Sequence, residues 1–512
     1  MKRTGGSFSS PKVSYSIVNP LASACGISPP LALPLYFDYV FLMTKELWQR
    51  TATELANLIA SKEVSSSEVV DVHLNRIGEV NGHLNAVTRV LEDEARAEAA
   101  AADAAVMAGD ELGPFHGVPF TIKENIDTAN TPTTQGLPIF ANRISAVDAP
   151  IVERMRAAGA VALARTNLPE LGLRVSTNNP LHGLTRNPWH PDLTAGGSSG
   201  GEGSAIGSGM SPFGLGNDIG GSVRNPAFCC GIASLKPTHG RVPWFSSFAE
   251  DQNIGLPVWV MCTDGPMARS VSDLWTGMAV LNGRDARDPR SVTVALEGPE
   301  APKRAAVLRQ VPGVDCDPWV LDGVDKAVVA LEAAGWEVVE AVPPEIEQCG
   351  IVWAHLLASD LIGQVLEESL EVVKLFMSEE LINSLMSLVN EYPSDQMSST
   401  VVHTEYVRLS RLWSQFFVDY PVLIMPTWTG KPFIHDADVE NPETDWMRDL
   451  LACILPPNIL NLPAASVPVG VADGLPQSVQ CVSDRWRDDL ALSAAEDIET
   501  QLGIFTPINP VI

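Results

Sequence analysis

Basic side chains are scarce in this 512-residue chain: 34 Lys and Arg stand against 62 Asp and Glu, for a formal net charge of −28. Binding to a phosphate backbone runs on Lys and Arg, so this balance argues against a nucleic-acid partner. The acidity reads as a solubility device. Cysteine is thin as well, with eight in the whole length, no C-x-x-C spacing, and Cys229 directly beside Cys230. A zinc site or a redox motif is therefore not indicated, and reduced thiols in a cytoplasmic setting are expected. The nine histidines form no H-E-x-x-H pair, and the pattern G-x-x-x-x-G-K-[ST] is absent. Neither a metal nor a cofactor is implied. Long apolar runs are missing too. Leu31 to Met43 is broken by Pro34 and Asp38 and is too short to span a bilayer, so no stable membrane insertion is expected.

What is present divides at about residue 42. Residues 1–42 carry Pro11, Pro20, Pro29, Pro30 and Pro34 and show no helical period. Lys2 and Arg3 ahead of an apolar stretch ending at Cys25 have the outline of a lipoprotein signal, but Ser14, Ser16 and Asn19 interrupt it. The segment is read as an extension outside the core, disordered or preceding a start at Met43. Residues 43–512 are read as one large domain, because no linker divides them and 45% hydrophobic residues suffice for a large core. Ser65 and Glu68 have capping-box spacing, followed by Val70, Leu74 and Ile77 on one helical stripe. Residues 92–108 and 150–158 read as helices. Strands are expected at 118–122, 161–164, 305–308, 338–339 and 422–425, and residues 351–418 as helix-rich. The alternation predicts an α/β fold with a mixed, mainly parallel β-sheet flanked by helices on both sides.

Residues 196–222 are dense in Gly and Ser. Gly196-Gly197-Ser198-Ser199-Gly200-Gly201 and Gly216-Asn217-Asp218-Ile219-Gly220-Gly221-Ser222 each lead into a candidate helix. Glycine-rich turns let the backbone approach a ligand, and their N–H groups can converge on an anion, either a phosphate or the oxyanion of acyl transfer. The first stretch also fits G-x-S-x-G, which would make Ser198 a nucleophile served by a later histidine such as His403 or His435. That pattern leaves the second loop without a role.

GGSSGGEGSAIGSG followed by GNDIGGSVRNPAFCCGIASLKPTHGRVP resembles the amidase signature family of serine hydrolases. Further segments are similar to the family in the same order: Gly117 to Asn125 around Lys123, Thr166-Asn167, Asn187-Pro188-Trp189, Gly265 to Val271, and Asn461 to Gly470. The match covers roughly residues 43–500, with a signature core at about 115–280. The resemblance implies Lys123 as terminal base, Ser198 as bridging serine after a cis Gly197–Ser198 peptide, and Ser222 as nucleophile. It implies an oxyanion hole on the N–H groups of Ile219, Gly220, Gly221 and Ser222. Ser176, Thr177, Ser199, Asn217, Asp218 and Arg224 fall at positions near the triad, as substrate-binding or supporting residues. Gly172 and Leu173 are expected on the acyl side. A serine hydroxyl needs a base, and a lysine serves as one only when neutral, which burial promotes.

The activity implied is cleavage of small aryl amides, extending to carbamates (urethanes) and esters, with no cofactor. The family also holds the glutamine-hydrolysing subunit of a tRNA-dependent amidotransferase, which is the alternative. Trp244, Phe245 and Phe248 are candidates for stacking on an aromatic substrate, and residues 351–418 for a lid. A homodimer is left open.

Overall fold

Consecutive, rather than alternate, burial along the strands sets the architecture. In a computed structural model, which describes residues 46–248, 255–358, 377–393, 395–440 and 445–512, the strands are β1 (Val87–Val90), β2 (Pro119–Lys123), β3 (Val161–Thr166), β4 (Phe213–Asp218), β5 (Ala233–Lys236), β6 (Thr263–Ala268), β7 (Arg304–Val307), β8 (Glu337–Glu340), β9 (Val422–Pro426), β10 (Ala464–Ala472) and β11 (Leu475–Ser483). They form one 11-stranded sheet in the order β1-β3-β2-β4-β6-β5-β10-β11-β9-β7-β8. Every residue of β2, β3, β4, β6 and β11 is buried, so both faces of the sheet are covered.

The two faces differ. Phe120, Ile122, Phe213, Leu215, Val467, Val479 and Ile424 belong to one continuous core with the helices Ala52–Ala60, Pro150–Ala157, Val271–Leu281, Pro318–Ala333 and Asp488–Leu502. The opposite face is divided. Val161 and Leu163 pack with the helix Ser66–Leu84, whereas Ala306, Leu423 and Met425 pack with the helices Ile346–Leu356 and Ser399–Asp419. Between these two clusters lie the short helices Gly200–Gly207 and Arg224–Cys230, the elements that follow the two serine loops.

The α/β class, the mixed sheet and the five expected strands are observed, and the Ser65–Glu68 capping box forms. The balance of strand directions is a correction. Among the described residues only β2–β3, β2–β4, β7–β8 and β7–β9 pair in parallel, and the other six pairings are antiparallel. The hairpin β10–β11 reverses the chain directly, and β6 runs antiparallel to both β4 and β5 although the helices Arg224–Cys230 and Leu256–Met261 intervene along the chain; these glycine- and proline-bearing strands show no apolar period. Residues 47–512 pack as one unit. The extension 1–42 lies outside the described residues, as does 359–376 within the helix-rich stretch, whose described part contains helices Glu379–Glu391 and Ser399–Asp419.

Candidate active site

Strands β2 and β4 run side by side in parallel, so their carboxyl ends open at the same edge of the sheet. β2 ends on Lys123, and β4 ends on Asn217 and Asp218. The Lys123 ammonium nitrogen Nζ donates to Ser198 Oγ at 2.6 Å and to Asn217 Oδ1 at 2.7 Å. Ser198 follows a cis peptide bond from Gly197, as the resemblance implied. Asn217 Nδ2 in turn donates to Asn125 Oδ1 at 3.0 Å, which selects the amide end that faces the lysine.

Burial brings the Lys123 pKa down from 10.5 to about 7, against the pull of Cys262, Asp218, Asp264 and Glu202. Two of those carboxyls are themselves disarmed. Burial pushes Glu202 up to about 8, although the Thr121 and Thr166 hydroxyls donate to it at 2.6 and 2.7 Å. Burial also pushes Asp264, which pairs across the sheet with Asn217, well above the usual carboxylate range. With these two acids pushed up, and Asp218 committed to Arg224, desolvation prevails over the pull on the Lys123 proton.

Asp218 organises the second loop. Burial alone would raise its pKa, but the Arg224 guanidinium and the Asn458 amide hold it below the usual carboxylate range. Its two oxygens accept from Gly221 N–H at 2.7 Å, Val223 N–H at 3.2 Å and Arg224 Nε at 3.0 Å. Arg224 also donates to Ile454 C=O, Gln480 Oε1 and Asn458 Oδ1, so it secures the loop to the C-terminal part of the sheet. Gly221 has φ +101° and meets Ile454 closely, so only glycine fits this turn. Of the four N–H groups expected to face an oxyanion, that of Gly221 donates to Asp218. Among the described residues, the N–H groups of Ile219, Gly220 and Ser222 take no acceptor. Ser222 is buried, and its carbonyl accepts from Ser199 N–H at 3.2 Å. No hydrogen bond joins its hydroxyl to Ser198 among the described residues, so the Lys123–Ser198 half of a relay is closed and the Ser222 half is open.

Thr177 Oγ1 donates to Gly196 C=O and accepts from Gly200 N–H, holding the first serine loop from both ends. Ser176 accepts from Thr194 Oγ1 at 3.1 Å behind that loop. The Ser199 hydroxyl is buried without a hydrogen-bond partner, whereas Ser198 takes the lysine. Gly172 has φ +70°, and a Cβ there would lie 3.3 Å from Ser198 Oγ. Leu173 packs with Leu357, Leu381, Ile382, Leu385 and Trp353, an apolar wall supplied by the helix-rich stretch. Glu170 accepts from Ser378 N–H and Oγ at 2.7 and 2.6 Å and thereby ties that wall to the Gly172 segment.

Trp244, Phe245 and Phe248 each lie beside a guanidinium group, those of Arg290, Arg287 and Arg143. His435 bonds to Pro191 C=O and His403 lies beside Tyr406, whereas the Ser198 hydroxyl accepts from Lys123. The structure adds Asn125, Asp264, Asn458 and Trp353, to which the sequence did not point. Only Asn125 carried a local cue, as part of the segment that ends in Lys123-Glu124-Asn125.

The profile of the amidase family matches residues 68–492. This chain belongs to the amidase family. The amidase is similar to indoleacetamide hydrolase of Bradyrhizobium diazoefficiens, with 38% identity covering 90% of this chain and 87% of the relative. It is also similar to a glutamyl-tRNA(Gln) amidotransferase subunit of Geobacillus thermodenitrificans, at 32% identity over 88% of this chain and 97% of the relative. Among solved structures, 6-aminohexanoate cyclic dimer hydrolase superposes with a TM-score of 0.76 at 28% identity, covering 90% of this amidase and 98% of that chain. The amidase is a hydrolase acting on amides. No described helix is long and apolar enough to cross a membrane, and no group of three metal-ligating side chains is found among the described residues.

Proposed function

We propose that this amidase cleaves small, uncharged aryl-bearing amides through an acyl-enzyme on Ser222. The observation that carries the mechanism is the 2.6 Å bond from Lys123 to Ser198 in a buried site, with the lysine poised at about 7. Neutral Lys123 accepts the Ser198 proton, and Ser198 accepts that of Ser222, because a hydroxyl both donates and accepts. Ser222 Oγ bonds to the substrate carbonyl carbon while the carbonyl pair moves onto oxygen, facing the loop N–H groups. The proton returns through Ser198 to the leaving amine as the C–N bond breaks. Water then repeats the sequence and releases the acid. The Ser198–Ser222 link is the part of the relay that would form with substrate in place, since catalytic hydrogen bonds often tighten only in the complex.

The apolar wall of Leu173, Leu357, Leu381 and Trp353 supports an aromatic, uncharged acyl group, and likeness to an indoleacetamide hydrolase favours the same class. Aryl carbamates and aryl esters present the same carbonyl and extend the range. The glutaminase reading rests on the 32% relative, and a chain that releases ammonia from glutamine but not from an arylacetamide would establish it instead.

Ser222→Ala is expected to abolish turnover, and Lys123→Ala or Ser198→Ala to cost several orders of magnitude, with folding retained. An aryl fluorophosphonate should label the peptide containing Ser222; a label on Ser198 would overturn the assignment. A matched set on one aniline (acetanilide, long-chain anilide and aryl carbamate) then reads the acyl pocket. Replacing Gly172 is a poor probe of that pocket, because φ +70° strains any other residue and its side chain would press on Ser198.

A further inference from the structure

The second glycine loop is pinned peptide by peptide, and one of the pins comes from far along the chain. Trp353 lies in the helix Ile346–Leu356, 134 residues beyond Ile219, and its indole Nε1–H donates to Ile219 C=O at 2.8 Å. In a trans peptide the carbonyl of one residue and the N–H of the next point in opposite directions within one plane. Holding the Ile219 carbonyl therefore aims the Gly220 N–H. The same indole lies on Gly220, where a Cβ would come within 2.8 Å of Trp353 Cζ2, so ring and glycine are fitted to each other. One peptide further, the N–H is taken by Asp218. The next is aimed again: Gly221 C=O accepts from Asn225 N–H at 2.6 Å, which fixes the plane that carries the Ser222 N–H.

Two N–H groups, those of Gly220 and Ser222, are thus held in orientation by bonds to their own peptides' carbonyls. We propose that Trp353 is a positioning residue for the oxyanion site, acting through the Ile219–Gly220 peptide. Its indole N–H fixes the plane of that peptide. It also polarises it, because hydrogen bonds in a chain strengthen one another, so Gly220 donates more strongly as charge develops on the substrate oxygen. Trp353 thereby links the apolar wall to the reaction itself. This rests on the reading of Ser222 as nucleophile.

Trp353→Phe removes the N–H and keeps an aromatic ring. A second variant carrying benzothienylalanine at 353 replaces the N–H by sulfur at nearly constant volume, so packing is preserved even if phenylalanine loosens the wall. Each is assayed for kcat and KM on one anilide. Each is also tested for affinity for an aryl trifluoromethyl ketone, whose carbonyl takes up the serine oxygen and becomes an oxyanion, and for the matching secondary alcohol, which cannot. Loss of a direct oxyanion donor costs roughly 100- to 1000-fold in kcat; a residue acting through one donor should cost about ten-fold. The expected result is that fall in kcat with little change in KM, an equal loss of ketone affinity, and unchanged alcohol affinity. Equal weakening of ketone and alcohol, or an unchanged kcat, would overturn the role of Trp353 and leave it as pocket lining. A wild-type enzyme that binds ketone no better than alcohol would instead overturn the Ser222 reading itself.

Discussion

At neutral pH Lys123 lies close to its own pKa of about 7, so a modest change in acidity switches the proposed base. Activity should fall as the pH drops below about 7 and level off on the alkaline side, which a profile of kcat/KM against pH will check; an acid optimum would exclude a neutral lysine. The same depressed pKa affects stability. Between about 7 and 10.5 the unfolded lysine holds a proton that the folded one has released, so the folded state gains stability as the pH rises through that window. Lys123→Met should therefore be most stabilising at pH 7 and below, with its advantage shrinking toward 10.5, as urea unfolding at several pH values will show. The Lys123–Ser198 contact was legible because each residue sits in an ordered motif with a local glycine or strand context. Asn125, Asp264 and Trp353 were not, since their roles arise from contacts made across the sheet or from a distant helix.

Among the elements, β4 (FGLGND) and β6 (TDGPMA) resist reading by hydropathy, although both are wholly buried. Their glycines are spatial requirements. A side chain at Gly214 would run into the Glu202 carboxyl, and one at Gly216 would meet Ser199 Oγ at 2.9 Å. By contrast β2, β3, β7, β8 and β9 contain apolar runs that announce themselves. The turn after β4 depends on the Asp218–Arg224 pair, whose side chains are fully buried. Arg224→Met leaves the Asp218 charge without its partner and should cost about 3–5 kcal/mol. Equilibrium unfolding will measure this, and adding Asp218→Asn should recover part of the loss because the stranded charge is removed.

On the scale of the whole molecule, the α/β class followed from strands alternating with helices, but the sense of the strands did not. Direction is set by how each chain reversal is made, and the hairpin β10–β11 turns at Asp473-Gly474, a signal that the hydrophobic pattern alone does not weigh. The site residues named above all lie within the unit spanning residues 47–512. A chain beginning at Met43 should accordingly retain both its melting temperature and its turnover of an arylamide, as thermal unfolding and a steady-state assay will test; loss of either would assign residues 1–42 a part in the core.

The proposed reacting groups come from residues 123–224, anchored in a sheet that is covered on both sides, whereas most of the apolar wall comes from Trp353, Leu357, Leu381, Ile382 and Leu385. On the proposed reading, chemistry and recognition occupy separate stretches of the gene. Mutations can accumulate in the second stretch and change which amide is accepted without altering the acidity at which it is cut. Trp353 is the exception: bonded to the oxyanion loop as well as lining the wall, it is where a lineage adapting to a new substrate would meet a loss of rate.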